Sequence, residues 1–221
     1  LKQLLASGEL DPAQQVEALS QLGHDGHALS VGLSALGDEQ SALIREQLRR
    51  QAVEILDRTP QGIQLSWQSK DFGGLDITGP QLTVARHLND DWYASLVLGQ
   101  GRYDSDQLRD GELGQERNAL LTLRRQLSDG SYSLIADLST RKDHDRNGVG
   151  LSRAWQLSAT DEIETGLDWH RQSDETGLMR AFGQHDGVWV KGQHGFSARD
   201  QLSWALSHNR FSTRTGDALG S

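Results

Sequence analysis

The chain has 221 residues, enough for one large domain or two small ones. It holds no cysteine, which excludes a disulfide framework and a thiolate metal site, and its net charge of -9 argues against nucleic acid as a partner. A mean hydropathy of -0.60 and the absence of a run of roughly 20 apolar residues exclude a membrane helix, but not a transmembrane barrel, whose strands alternate apolar and polar residues. Leu1 opens the sequence without Met or a leader pattern, and it ends on Ala-Leu-Gly-Ser, so an internal piece of a longer chain is expected.

Residues 1–59 read as helical. Asp11-Pro12 places an N-cap before a proline in the first helical position. Val16, Leu19 and Leu22 follow at helical spacing, and Gly23 stops the run. Residues 27–36 fit a second helix. Asp38 is the expected cap of a longer one, in which Ile44, Leu48, Ala52 and Ile55 form a stripe that ends before Thr59-Pro60. Short helices joined by glycine turns suggest a tetratricopeptide-like segment, although a 34-residue period cannot show itself over so short a stretch.

After Pro60 the period falls from 3.6 to 2. Apolar residues alternate in Ile63–Trp67, Gln81–His87, Trp92–Leu98, Ala119–Leu123, Tyr132–Leu138, Val149–Leu157 and Ile163–Trp169. The pattern continues less cleanly through Leu178–Gly183, Val188–Gln193 and Leu202–Asn209, about ten strands in all. No proline follows Pro80, as unbroken ladders require. Tight turns are expected at 89–91, 128–130, 159–161 and 185–187, and longer polar loops at 104–115, 141–148 and 172–177. Short and long connections then alternate, as in outer-membrane barrels with short periplasmic turns and longer extracellular loops. On that pattern the first strand starts on the short-turn side and residues 1–59 are periplasmic. The expected fold is mainly β: an antiparallel transmembrane β-barrel, incomplete, over residues 60–221, preceded by the helical segment.

Trp92, Tyr93, Tyr132, Trp155 and Trp189 lie close to the expected short turns, where an aromatic girdle would meet the headgroups. They also suit strands for intrinsic reasons. If Ile163, Thr165, Leu167 and Trp169 face lipid, then Glu164, Asp168 and His170 line the lumen, and the same parity brings Asp137, Ser152 and Gln156 inward. Such acids either attract a cationic passenger or only keep the lumen wet. Arg153 falls on the lipid-facing parity, so it lies near a membrane boundary or the register there is shifted. His24-x-x-His27 has ligand-like spacing but no third ligand, and Asp143-His144-Asp145 lacks the EF-hand spacing. No catalytic motif, cofactor fingerprint or metal site stands out.

The run Gln64-Leu65-Ser66-Trp67 to Phe72-Gly73-Gly74-Leu75-Asp76, following a helix pair and Pro60, resembles the start of the barrel in Pel-type exopolysaccharide export porins. In these a periplasmic tetratricopeptide scaffold precedes the outer-membrane barrel. The resemblance implies passive export of a cationic biofilm polysaccharide. It further implies a periplasmic polysaccharide-modifying enzyme and a small lipoprotein ring as partners, no catalytic residue, and a barrel with more strands than are counted here. The alternative is a soluble β-rich carbohydrate-binding or adhesin module, which would bury an apolar face of similar width.

Overall fold

The computed structural model describes residues 2–37, 41–105, 113–127, 129–142, 144–158, 160–196 and 200–220. Four helices open the chain: α1 (Lys2–Ser7), α2 (Pro12–Gln21), α3 (Asp25–Gly37) and α4 (Ala42–Arg58). Asp11 closes a capping box on α2. Its carboxylate accepts from the Gln14 amide at 2.8 Å, while the Gln14 side chain accepts from the Asp11 amide at 3.2 Å. Val16, Leu19, Ala28, Leu29, Leu48, Ala52 and Ile55 form the core of this part, so the predicted stripe of α4 is its buried face. The expected cap Asp38 lies outside the described residues; Ser41 caps α4 by accepting from Ile44 N at 3.3 Å. The helix α1 was not anticipated from the sequence. Thr59, whose amide and hydroxyl both bond the Ile55 carbonyl, ends α4 ahead of Pro60.

Ten strands follow, paired antiparallel in chain order: β1 (Gly62–Asp71), β2 (Leu75–His87), β3 (Trp92–Ser105), β4 (Gln115–Leu127), β5 (Gly130–Arg141), β6 (Arg146–Gln156), β7 (Asp161–Arg171), β8 (Gly183–Gly195), β9 (Gln201–Thr213) and β10 (Ala218–Gly220). A six-residue helix, α5 (Gly177–Phe182), interrupts the run between β7 and β8. Among the described residues β1 and β10 are free edges, so the sheet is not closed.

Burial along the strands is inverted. On β5, Leu138 is 47% exposed while its neighbours Asp137 and Ser139 are 7% and 2%; on β6, Leu151 is 51% exposed and Ser152 is 8%. A soluble sandwich buries its apolar face. Here the apolar face points out and the polar face in, as a barrel in lipid requires.

Two expectations need correction. Leu178–Gly183 is not a strand: Thr176 caps a helical turn by accepting from Met179 N at 3.2 Å, and α5 follows. His185-Asp186-Gly187 is not a turn but part of β8, because pairing with β7 on one side and β9 on the other overrides local turn chemistry. The short β10, paired with β9, had no sequence signal. Loop alternation is also weaker than expected. The helix side carries connections 88–91, 128–129, 157–160 and 196–200, and the far side 72–74, 106–114, 142–145, 172–182 and 214–217. Only two of the far-side connections are long, since strand pairing consumes much of 141–148.

Candidate export pore

The inner face is set by register. Asp137 lies opposite Gly148, Asp168 opposite Gly150, Ser152 opposite Gly166, and Glu164 opposite Ala154. Directly paired residues share a face, so Asp137, Ser152, Glu164 and Asp168 stand on one wall. Gln156 shares their parity, but its amide bonds the carbonyls of Ser158 and Asp161 and so closes the rim turn.

The carboxylates on this wall are paired rather than bare. Arg146 holds Asp137 in a two-pronged bond, Nη1 to Oδ2 at 2.9 Å and Nη2 to Oδ1 at 3.0 Å. Arg171 Nη1 lies 3.0 Å from Asp168 Oδ1, and Trp189 Nε1 donates to Asp168 Oδ2 at 2.9 Å. Lys191 Nζ lies 2.7 Å from Glu164 Oε2. The wall is therefore polar and charge-paired at Asp137, Glu164 and Asp168. Arg146 and Lys191 share the inward parity of Ser152 and Glu164, but Arg146 falls in the stretch 141–148 that was expected to be a loop.

His170 does not join this row. One extra residue between Asp168 and Arg171 forms a bulge, His170 takes φ 51°, and its ring stacks on Trp169 at 4.2 Å. Period-two counting cannot see such an insertion. The histidines of the His-x-x-His spacing also separate, His24 facing Asp91 at 3.5 Å and His27 facing Asp90 at 3.9 Å across the helix–sheet boundary.

A second buried cluster, missed in the sequence, sits toward the far end. Glu116 of β4 accepts from Tyr103 and Ser139, and meets Arg214 Nη2 at 2.9 Å and Arg180 Nη2 at 3.3 Å. Arg214 lies in the 214–217 turn, so the sheet curls far enough to bring the β9–β10 connection onto β4 and β5. The segment 172–182 lies inside this curl. Arg141 Nη1 donates to the Ala181 carbonyl at 2.6 Å, Arg214 N donates to the Phe182 carbonyl at 2.9 Å, and Ala181 is buried with Leu75, Ile77 and Tyr103. Lys70 Nζ reaches Asp174 at 3.4 Å from β1. The segment thus packs against the inner wall.

Of the expected girdle, Trp92, Tyr132 and Trp155 are on the outer face near the helix side. Tyr93 and Trp189 are not. Tyr93 pairs with Arg124 on the inner face and donates to the Pro60 carbonyl at 3.0 Å. Trp189 lies in mid-strand, flat over Gly166, where a Cβ would come within 2.3 Å of Cε2. Both were placed by distance from a turn, which fixes height but not face, and for Trp189 the turn itself is absent.

No curated protein matches the chain, and no solved structure does. The sequence profile of the PelB C-terminal beta barrel domain matches residues 57–221. A sheet that turns leucines outward and ion pairs inward needs a membrane around it, and by that match the chain belongs to the family of PelB C-terminal β-barrel domains, outer-membrane barrels of the Pel exporter kind.

Proposed function

We propose that the inner wall conducts a polysaccharide across the outer membrane, with residues 60–221 forming the passage and residues 1–59 the periplasmic end of a tetratricopeptide-type scaffold. The observation that carries this is the inverted burial: serines, amides and paired charges offer hydrogen bonds to a hydrated polymer without an apolar surface to hold it. Asp137, Glu164 and Asp168 are neutralised locally. A preference for a cationic polymer therefore falls to the helix-side rim, where Asp90 and Asp91 lie in the 88–91 turn and Glu162 at the start of β7. A periplasmic polysaccharide-modifying enzyme and a lipoprotein ring would act on the same side. The passage needs no catalytic group or cofactor.

Ser152→Trp and Leu151→Trp test the reading, because they put the same bulk on opposite faces of one strand. Ser152→Trp is expected to cut secreted polysaccharide severalfold with heat-modifiable migration unchanged. Leu151→Trp is expected to leave secretion intact. Equal secretion from both variants would remove the inner wall from the path.

A further inference from the structure

Near the helix side, the outer face of β4 to β6 carries Arg125 and Arg153 where its parity calls for lipid, and register sets them in one row. Trp92 pairs with Arg125, Arg125 with Tyr132, and Tyr132 with Arg153. The Arg153 guanidinium lies 4.5 Å from the Tyr132 ring centre and 5.4 Å from that of Trp155; Arg125 lies 5.7 Å from Trp92. The next outward residues toward the far side are Leu123, Leu134 and Leu151. The register is therefore sound, and Arg153 stands at a boundary: three residues from the end of β6, where apolar rows give way to turns.

A guanidinium on the lipid face costs about 2–4 kcal/mol at the midplane and about 0–1 kcal/mol near an interface, so a pair in one row marks an interface. Stacking on rings covers the guanidinium faces, and the planar fork of N–H groups in the guanidinium plane matches a phosphate. Asp129 takes only part of this capacity: it accepts from Arg153 Nη2 at 2.8 Å, while Arg153 Nη1 is buried and unpartnered. Among the described residues Arg125 has its contact with Trp92 and no carboxylate. Two arginines against one aspartate leave a net positive site. Arg125 and Arg153 are separated by one strand, roughly 10 Å, wide enough for a headgroup between them.

We propose that Arg125 and Arg153, bracketed by Trp92, Tyr132 and Trp155, bind the phosphate of an anionic phospholipid in the periplasmic leaflet. A zwitterionic headgroup would bring an ammonium to a site that is already positive. The leaflet assignment rests on the helix-side orientation proposed above; the site itself does not. Symmetric nanodiscs of about four parts phosphatidylethanolamine to one of phosphatidylglycerol therefore test the site whichever way the barrel faces. Native mass spectrometry of the intact protein released from them is expected to show phosphatidylglycerol enriched about fivefold over its share in the disc. Arg125→Gln with Arg153→Gln should abolish that enrichment, whereas Arg102→Gln with Arg117→Gln, on the outer face at the far end, should keep it. Should the glutamine pair fail to assemble, Arg125→Lys with Arg153→Lys keeps charge but loses fork and stacking, and is expected to retain less than half the enrichment. No enrichment in the wild type, or undiminished enrichment in the variant that assembles, overturns the site.

Discussion

Asp137 and Arg146 are both buried, and their two parallel bonds are what makes that arrangement tolerable. Removing one partner of such a pair strands a charge away from water, at a cost of about 3–5 kcal/mol. Arg146→Ala should therefore lower the urea midpoint of the folded band steeply, and Asp137→Asn with Arg146→Gln should recover most of the loss. If single and double variants unfold alike, the pair is not coupled. Glu164 and Lys191 form a closer contact, but the lysine side chain is 55% exposed, so truncating it is worth about 0–1 kcal/mol. Distance puts Glu164–Lys191 first, whereas burial puts Asp137–Arg146 first. The inward position of Asp137 was legible in the sequence, because a period of two assigns faces without knowing any neighbour. Its partner was not, since Arg146 sits diagonally across a hairpin whose register depends on where 142–145 turns.

At the scale of elements, β1 to β9 were legible because their alternation recurs, whereas α5 was not. Leu178, Met179, Ala181 and Phe182 form an apolar cluster too short to declare a helical period, and the same residues fit a buried strand. What fixes the helix is external: the Ala181 carbonyl accepts from Arg141, and its methyl lies among Leu75, Ile77 and Tyr103. The bulge at His170 was hidden for the same reason, since it answers to β8 and not to its own strand. Ala181 is 1% exposed among Leu75, Ile77 and Tyr103, so Ala181→Glu would force a carboxylate into apolar packing and should drive 172–182 off the wall. Because that segment holds no sheet hydrogen bonds, barrel assembly should persist while single-channel conductance in planar bilayers rises. Unchanged conductance with normal assembly would show that the segment does not narrow the passage.

For the whole molecule, the order of parts sets the orientation. The chain leaves α4 through Thr59-Pro60 and starts β1 at once, so every even-to-odd strand turn returns to the helices. Contacts confirm the side: Tyr93 bonds the Pro60 carbonyl, and a Cβ on Gly23 would meet the Gln126 side chain at 2.5 Å. Loop length, the signal first used for orientation, is the weaker guide, because 72–74 and 142–145 are as short as the helix-side turns. A folded helical segment belongs to the compartment from which an outer-membrane barrel inserts, so the side bearing Asp129 is predicted to be periplasmic and the side bearing Asp145 extracellular. Asp129→Cys gives up an ion pair with Arg153 whose carboxylate is 64% exposed, and should assemble. With no native cysteine in the chain, each variant carries a single thiol. On whole cells an impermeant maleimide should label Asp145→Cys and spare Asp129→Cys until the outer membrane is permeabilised. Labelling of Asp129→Cys alone would invert the barrel, and labelling of both on intact cells would remove it from the membrane.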